Sequence, residues 1–398
     1  MKDRVQVLVA GAGPVGCVAA TYLAQRGIDV LLVEADADCA QDMRASTFHA
    51  PTLEMLETLG FTDRLLAMGL KAPIYHWRDR RSGEILSFDT SELADVARFP
   101  FRLQCEQYHL SRMLADALEA LPSAEVQFNH RVAYIDQDTN GVTVSLETPT
   151  RIRTVRANYV IGADGASSIV RKWLGVEFDG FTYPEKFLCL TTDTPLEDYL
   201  PGLASVNYVS DPEEWLVLLR VPTLWRVLLP ADSDETVDLR SDAKKNGVFD
   251  RLTGNGAAVE TFHRTIYRVH QRVAKQFQVG RVFLIGDAAH LNNPLGGFGM
   301  NSGIHDAFNL GEKLREVLEA GANPALLERF DRQRRTVTHA FTQQQTMENM
   351  ELMRSGQGEA HRRQRDRMRA LANNPEMRRA YLLRQSMITS LREAESIA

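Results

Sequence analysis

Val5-Gln6-Val7-Leu8-Val9-Ala10-Gly11-Ala12-Gly13-Pro14-Val15-Gly16 is an apolar run that breaks into three spaced glycines. Val5 to Ala10 is short, mostly apolar and rich in β-branched residues, so it reads as a buried parallel strand. Each glycine has its own physical task. Gly11 permits a tight turn, Gly13 lets the backbone approach a pyrophosphate, and Gly16 lets the next helix pack closely on the strand. Val18 to Gln25 forms helix readily and stops at Gly27, and Asp29 to Glu34 is a second buried strand ending in an acid. The helix amino terminus, around Gly13 and Val15, offers unpaired N–H groups and a partial positive charge to an anion. Glu34 lies about 20 residues past the first glycine, where a carboxylate accepts hydrogen bonds from ribose hydroxyls. Strand, turn, helix, strand and acid in register predict a Rossmann-like α/β unit around a dinucleotide, without separating FAD from NAD.

The same design recurs twice. Tyr159-Val160-Ile161-Gly162-Ala163-Asp164-Gly165 is a buried strand and a tight turn, followed by Ser168 and Arg171 on a new helix that Asp164 is placed to N-cap. Gly280 to His290 repeats strand and turn through Gly286-Asp287, and Pro294-Leu295-Gly296-Gly297-Phe298-Gly299-Met300-Asn301 then leads into a helix. Pro51 to Leu59 is helical, with Pro at its start and Gly60 after its end, and Gln107 precedes a helix from Leu110 to Leu118. Between the motifs the pattern changes to short strands: Ser205 to Val209, Trp215 to Val221, and Leu224 to Leu229. Ile74 to Trp77 and Ile85 to Phe88 form a hairpin around Ser82-Gly83.

At 398 residues the chain has room for two or three domains. A formal charge of −6 argues against a nucleic-acid partner, and the arginines from Arg362 to Arg369 read as a solvated helix face. The four cysteines show no metal-ligand spacing, so no metal is expected. No apolar run approaches the ~20 residues that span a bilayer. The first strand starts close to Met1 and leaves no room for a signal peptide, so a cytoplasmic protein is expected.

In this order, with Arg44 after the second strand and Gln107 before its helix, the motifs resemble the class A flavoprotein monooxygenases, the para-hydroxybenzoate hydroxylase family. The resemblance implies a Rossmann-like FAD-binding domain made of residues 1–72, 101–180 and 262–325. It also implies an inserted antiparallel-sheet substrate domain, 73–100 and 181–261, and a helical carboxyl end, 326–398. One non-covalent FAD would meet Gly11, Gly13, Val15, Gly16 and Glu34, then Arg44, Gln107 and Asp164, and finally Asp287, Gly297, Gly299, Met300 and Asn301. NADH or NADPH would visit, reduce the flavin and leave. In the family the reduced flavin then binds O2 as a C4a-hydroperoxide and inserts one oxygen into an electron-rich ring.

For this chain the resemblance implies hydroxylation of a small phenolic or heteroaromatic acid. Two alternatives remain: a ring hydroxylase or epoxidase of a larger apolar quinone precursor or polyketide, and a non-catalytic flavin-binding protein. Arg226, Trp225, Arg220 and Tyr208 stand where family members hold an acidic substrate, and the Pro294 backbone would border the reacting ring. The family usually has two prolines where this chain has Asn293-Pro294, which adds an amide near the substrate. His290 reads as structural. His49, His76 and Tyr208 are the candidates for a substrate-deprotonating base, each more readily explained as structural. Pairing of subunits into a homodimer is left open.

Overall fold

The computed structural model describes residues 2–41, 45–211, 214–231, 238–354 and 358–398. Strand Arg4–Ala10 runs through the middle of a mixed sheet that has eight strands among these residues. It pairs in parallel with Val30–Val33 on one side and Ile152–Gly162 on the other. Val282–Leu284 and Ala124–Gln127 extend the parallel part on its two flanks. Val7, Leu8 and Val9 are fully buried, each side chain contributing roughly 1.5–3 kcal/mol of transfer free energy.

Register explains why three distant motifs meet. Ala10 lies beside both Val33 and Gly162, and Gly162 lies beside Leu284. Four strands therefore end level with one another, and the turns at 11–16, 163–165 and 286–288 leave from the same edge. In open α/β sheets, ligands bind beyond the carboxyl ends of the strands.

The first helix is longer at its start than the sequence suggested, running Pro14–Ala24, because proline is tolerated where a helix N–H has no partner anyway. Helix Phe298–Glu319 packs against it at close range: a Cβ on Gly303 would sit 2.5 Å from the Val15 side chain, and one on Gly311 2.6 Å from Tyr22. Gln107 is the first residue of its helix, Gln107–Glu119, with Glu106 at the N-cap. Helix Ile169–Trp173 takes Ser168 as its N-cap residue, not Asp164. Asp164 reinforces that end from behind, accepting from Ile169 N at 2.7 Å and Val170 N at 3.0 Å.

A second sheet, also eight-stranded among the described residues, roofs this edge. Its order is 290–291, 263–274, 178–192, 225–231, 216–220, 206–210, 74–79 and 85–89. Neighbours are antiparallel except Val206–Ser210 with Ile74–Asp79. Strand His263–Ala274 pairs along Phe178–Thr192, so the sheet runs across the border expected at 261/262.

The carboxyl end continues as helix Glu328–Val337, packed behind the first sheet through Phe330 and Arg334, and then as Gln344–Arg354, Glu359–Asn373, Pro375–Gln385 and Ile388–Ser396. Met368 and Leu382 share an apolar cluster with Tyr75 and Phe88, and Met350 and Met353 share one with Leu295 and Tyr183. Among the described residues, no helix is long and apolar enough to cross a membrane.

Candidate active site

A cavity of about 850 Å³ runs from the strand ends of the first sheet to the underside of the roof. Gly11, Gly13, Val15, Glu34, Gln107, Asp164, Asp287, Gly297, Gly299 and Met300 line it at one end, together with Pro14. Tyr208, Arg226, Cys189 and Pro294 line the other. Arg44 lies outside the described residues.

At the first end the glycines divide their work as their surroundings require. Gly11 has φ +105°, and a Cβ there would lie 2.4 Å from the Ala163 carbonyl oxygen. A Cβ on Gly16 would lie 1.9 Å from the Gly11 oxygen, so this residue sits behind the wall and makes the wall thin. Above Gly13 nothing comes within 4 Å, which leaves the turn open to a bulky anionic group. Glu34 is held at its strand end, accepting from Ala12 N at 2.7 Å and Asp36 N at 3.1 Å. An open glycine turn, a helix amino end and a fixed carboxylate together fit a dinucleotide.

The turn that carries Asp287 is held from behind by a buried charge cluster. Asp306 accepts from Gly286 N at 3.1 Å, bonds His290 Nε2 at 2.8 Å and receives Arg334 Nε at 2.6 Å. Burial alone would raise the Asp306 carboxyl, but Arg334 and His290 outweigh it and hold the group down at about 2. His290 is thus a buried structural residue bonded to Asp306, outside the cavity lining. Arg334 arrives from the carboxyl-end helix Glu328–Val337, about which the motif carries no signal.

The loop before helix Phe298–Glu319 is shaped by Gly296 and Gly297, with φ +102° and +72°. Gly297, Gly299 and Met300 face the cavity, and a new helix has no internal acceptors for its first N–H groups. Asn301 does not face it. Its Nδ2 donates to Thr47 O at 2.8 Å and Gly297 O at 2.6 Å, and its Oδ1 accepts from His49 N at 2.9 Å. That side chain stitches two walls together.

The amide of Asn293 is also turned away from the cavity, contrary to the sequence expectation. It is fully buried and donates to Thr346 O at 2.8 Å and Tyr183 Oη at 3.2 Å, while its oxygen accepts from Leu295 N at 3.1 Å. It ties the Pro294 loop to helix Gln344–Arg354, leaving the substrate region's polarity to other residues.

Along a strand successive side chains alternate between faces. Arg226 and Leu228 therefore point into the cavity with Val217 and Leu219, whereas Trp225 and Arg220 do not line it. Trp225 belongs to the apolar cluster on the opposite face with Val227 and Leu229, and its Nε1 donates to Glu197 Oε2 at 2.6 Å. Arg220 lies over its ring at 5.6 Å. Arg226 is 5% exposed and reaches Ser46 Oγ at 3.3 Å and Cys189 Sγ at 4.0 Å. Sequence reading missed Ser46, Thr47, Cys189 and Tyr267, which line the cavity from three separate stretches and carry no local motif.

Of the histidines considered as bases, His49 is buried, and burial reinforced by the Arg102 charge pushes it down to about 3. Its Nε2 meets Gly296 O at 2.8 Å, so the neutral ring donates there. His76 is also lowered by burial and does not line the cavity, whereas Tyr208 does.

Comparison with known proteins agrees with this geometry. Residues 4–345 match the family described as FAD binding domain. Para-nitrophenol 4-monooxygenase of Pseudomonas sp. (strain WBC-3) is 34% identical over 344 residues, covering 84% of each chain. The 6-hydroxy-3-succinoylpyridine 3-monooxygenase HspB of Pseudomonas putida (strain DSM 28022 / S16) is 35% identical, covering 84% of this chain and 85% of its own. The crystal structure of p-nitrophenol 4-monooxygenase PnpA from Pseudomonas putida DLL-E4 superposes with a TM-score of 0.91 at 30% identity, over 99% of both chains. This chain belongs to the class A FAD-dependent aromatic hydroxylases. It is a flavoprotein monooxygenase, which removes the non-catalytic alternative.

Proposed function

We propose that this protein hydroxylates a small phenolic or heteroaromatic acid, using NAD(P)H and O2. The observation that carries this reading is Arg226: a buried guanidinium opening onto an otherwise mostly apolar chamber beside Pro294 and Gly296. A hydrogen bond from such a group to a carboxylate contributes roughly 1.5–3 kcal/mol, enough to orient a single ring. The relatives' names point the same way, to a nitrophenol and to a hydroxypyridine bearing a succinoyl group. The cavity of about 850 Å³ has to serve coenzyme and substrate together, which favours a small ring over a polyketide.

In this reading Gly13 and the start of helix Pro14–Ala24 receive the pyrophosphate, and Glu34 accepts from the adenosine ribose. Gln107, Asp164 and Asp287 border the rest of the coenzyme. FAD supplies the redox chemistry with the nicotinamide and O2. The chain's own residues position and shelter. The amino end of helix Phe298–Glu319 favours negative charge where Gly299 and Met300 meet the cavity. Arg226 anchors the acid group, Val217, Leu219 and Leu228 exclude water, and the Pro294 backbone borders the ring.

The test is a panel of phenolic and pyridine carboxylates added to the purified protein with NADH or NADPH. A substrate stimulates nicotinamide oxidation and yields a product heavier by one oxygen atom. If no compound of this class does both, the reading is wrong.

A further inference from the structure

Strand Arg102–Gln104 places the side chain of Arg102 directly behind Tyr208, under the roof. Arg102 is 2% exposed and, among the described residues, forms no ion pair with a carboxylate. Its Nη1 donates to Tyr208 Oη at 3.2 Å, and its Nε is buried without a hydrogen-bond partner. Its guanidinium carbon sits 4.2 Å from the Tyr75 ring centroid and 5.9 Å from that of Tyr208, and the Tyr75 and Tyr208 rings meet edge to face at 6.1 Å. The surroundings supply π-faces but no counter-charge. A buried cation left in that state is unfavourable compared with an apolar side chain of similar size, unless a ligand supplies the missing negative charge.

A phenol has one O–H donor and two acceptor lone pairs, whereas a guanidinium only donates. With Arg102 donating to it, Tyr208 cannot return its proton to Arg102. Tyr208 lines the cavity, so its O–H is free to point there, toward an acceptor.

Arg226, which lines the chamber itself, has a planar fork that suits a two-oxygen group such as carboxylate or nitro. Tyr208 offers one O–H, which suits a single oxygen. The other titratable groups facing Arg102 are Tyr75 on strand Ile74–Asp79, Tyr381 on helix Pro375–Gln385 and His49 before helix Ala50–Thr58. Burial raises Tyr75 and pushes Tyr381 up to about 12, so both stay neutral at ordinary pH, as does His49.

We propose that Arg102 is a positioning residue: by donating to Tyr208 Oη it commits the Tyr208 proton to the cavity, so the site takes its aromatic substrate with the ring oxygen as an anion. This rests on the hydroxylase reading above and adds which residue fixes the direction of the Tyr208 proton. The substrate phenol loses its proton to solvent before it binds, and Tyr208, backed by Arg102, donates a hydrogen bond to the phenolate that remains.

The test uses the oxidised holoenzyme without nicotinamide and 4-nitrophenol as the probe, because its phenol and phenolate absorb differently. The pH titration of the bound probe yields its ionisation constant. Wild-type protein should bind it as phenolate at lower pH than the free compound ionises. Arg102→Met should weaken that ionisation about tenfold, one unit of apparent pKa. Arg102→Lys should recover part of the effect. Once Tyr208→Phe is in place, adding Arg102→Met should change the ionisation constant no further.

Flavin absorbance per protein controls for folding. If Arg102→Met loses flavin, Arg102→Leu, which likewise has no donor, carries the same expectation. A variant that retains flavin but leaves the bound ionisation constant at the wild-type value overturns the role of Arg102. A wild-type holoenzyme that binds 4-nitrophenol only as the neutral phenol overturns the anion reading, whereas failure of every phenolic and pyridine carboxylate to yield an oxygenated product overturns the hydroxylase reading itself.

Discussion

The two ends of the active-site cavity are built in different ways. The nucleotide end is made of backbone: turns leaving three strands in register, glycines that thin the wall, and helix amino ends. The end proposed for the substrate is made of side chains from one face of a second sheet, from the Pro294 loop, and from Ser46 and Thr47 in the first third of the chain. A backbone site tolerates few atoms more than it has, since an added Cβ meets a carbonyl. A side-chain site can be re-lettered while its frame survives. Failure at the first end should therefore remove the coenzyme, and failure at the second should change only what is hydroxylated.

The largest expected effect tests what supports the nucleotide end from behind. Asp306→Asn leaves Arg334 and His290 buried without their shared carboxylate, which should cost about 3–5 kcal/mol in thermal unfolding and loosen flavin binding. Gly16→Val drives a side chain into the Gly11 carbonyl and should cost about 3 kcal/mol, giving protein without the visible flavin spectrum. A yellow, stable Gly16→Val protein would break the distinction between the two ends.

Arg226→Ala should do the opposite. It should keep its flavin while KM for acidic substrates rises by an amount equal to about 1.5–3 kcal/mol. Loss of flavin in that variant would mean the two ends are not separable.

The smallest change per step is with pH. Burial and Arg102 hold folded His49 at about 3, so the unfolded chain, titrating near 6.5, takes up that proton first. The resulting stability is fully present above pH ~6.5 and declines by about 1.4 kcal/mol per unit as pH falls toward 3. Denaturant midpoints across that range, compared with a His49→Gln variant, measure it.

The strands around the motifs were legible because short apolar runs between glycines admit few other structures, and Val5–Ala10 and the hairpin near Ser82-Gly83 stand within a few residues of expectation. Helix starts were less so. Pro14 and Gln107 begin helices that the hydrophobic pattern places further on, because a first turn needs no apolar face. On the roof, Trp225, Arg226 and Arg220 looked alike as substrate contacts. Strand alternation separates them once the sheet's inner face is known. Asn293 misled for a similar reason, since its neighbour in sequence faces the cavity and its partner, Thr346, comes from a helix 53 residues away.

Order along the chain was enough to establish a dinucleotide fold with a flavin-dependent oxygenase as its kin, because glycine spacing and strand length act locally. Folding alone decided which side chains share the chamber. Inward or outward direction on a sheet, and the pairing of Arg102 with Tyr208 across 106 positions, depend on contacts that no short window of residues contains.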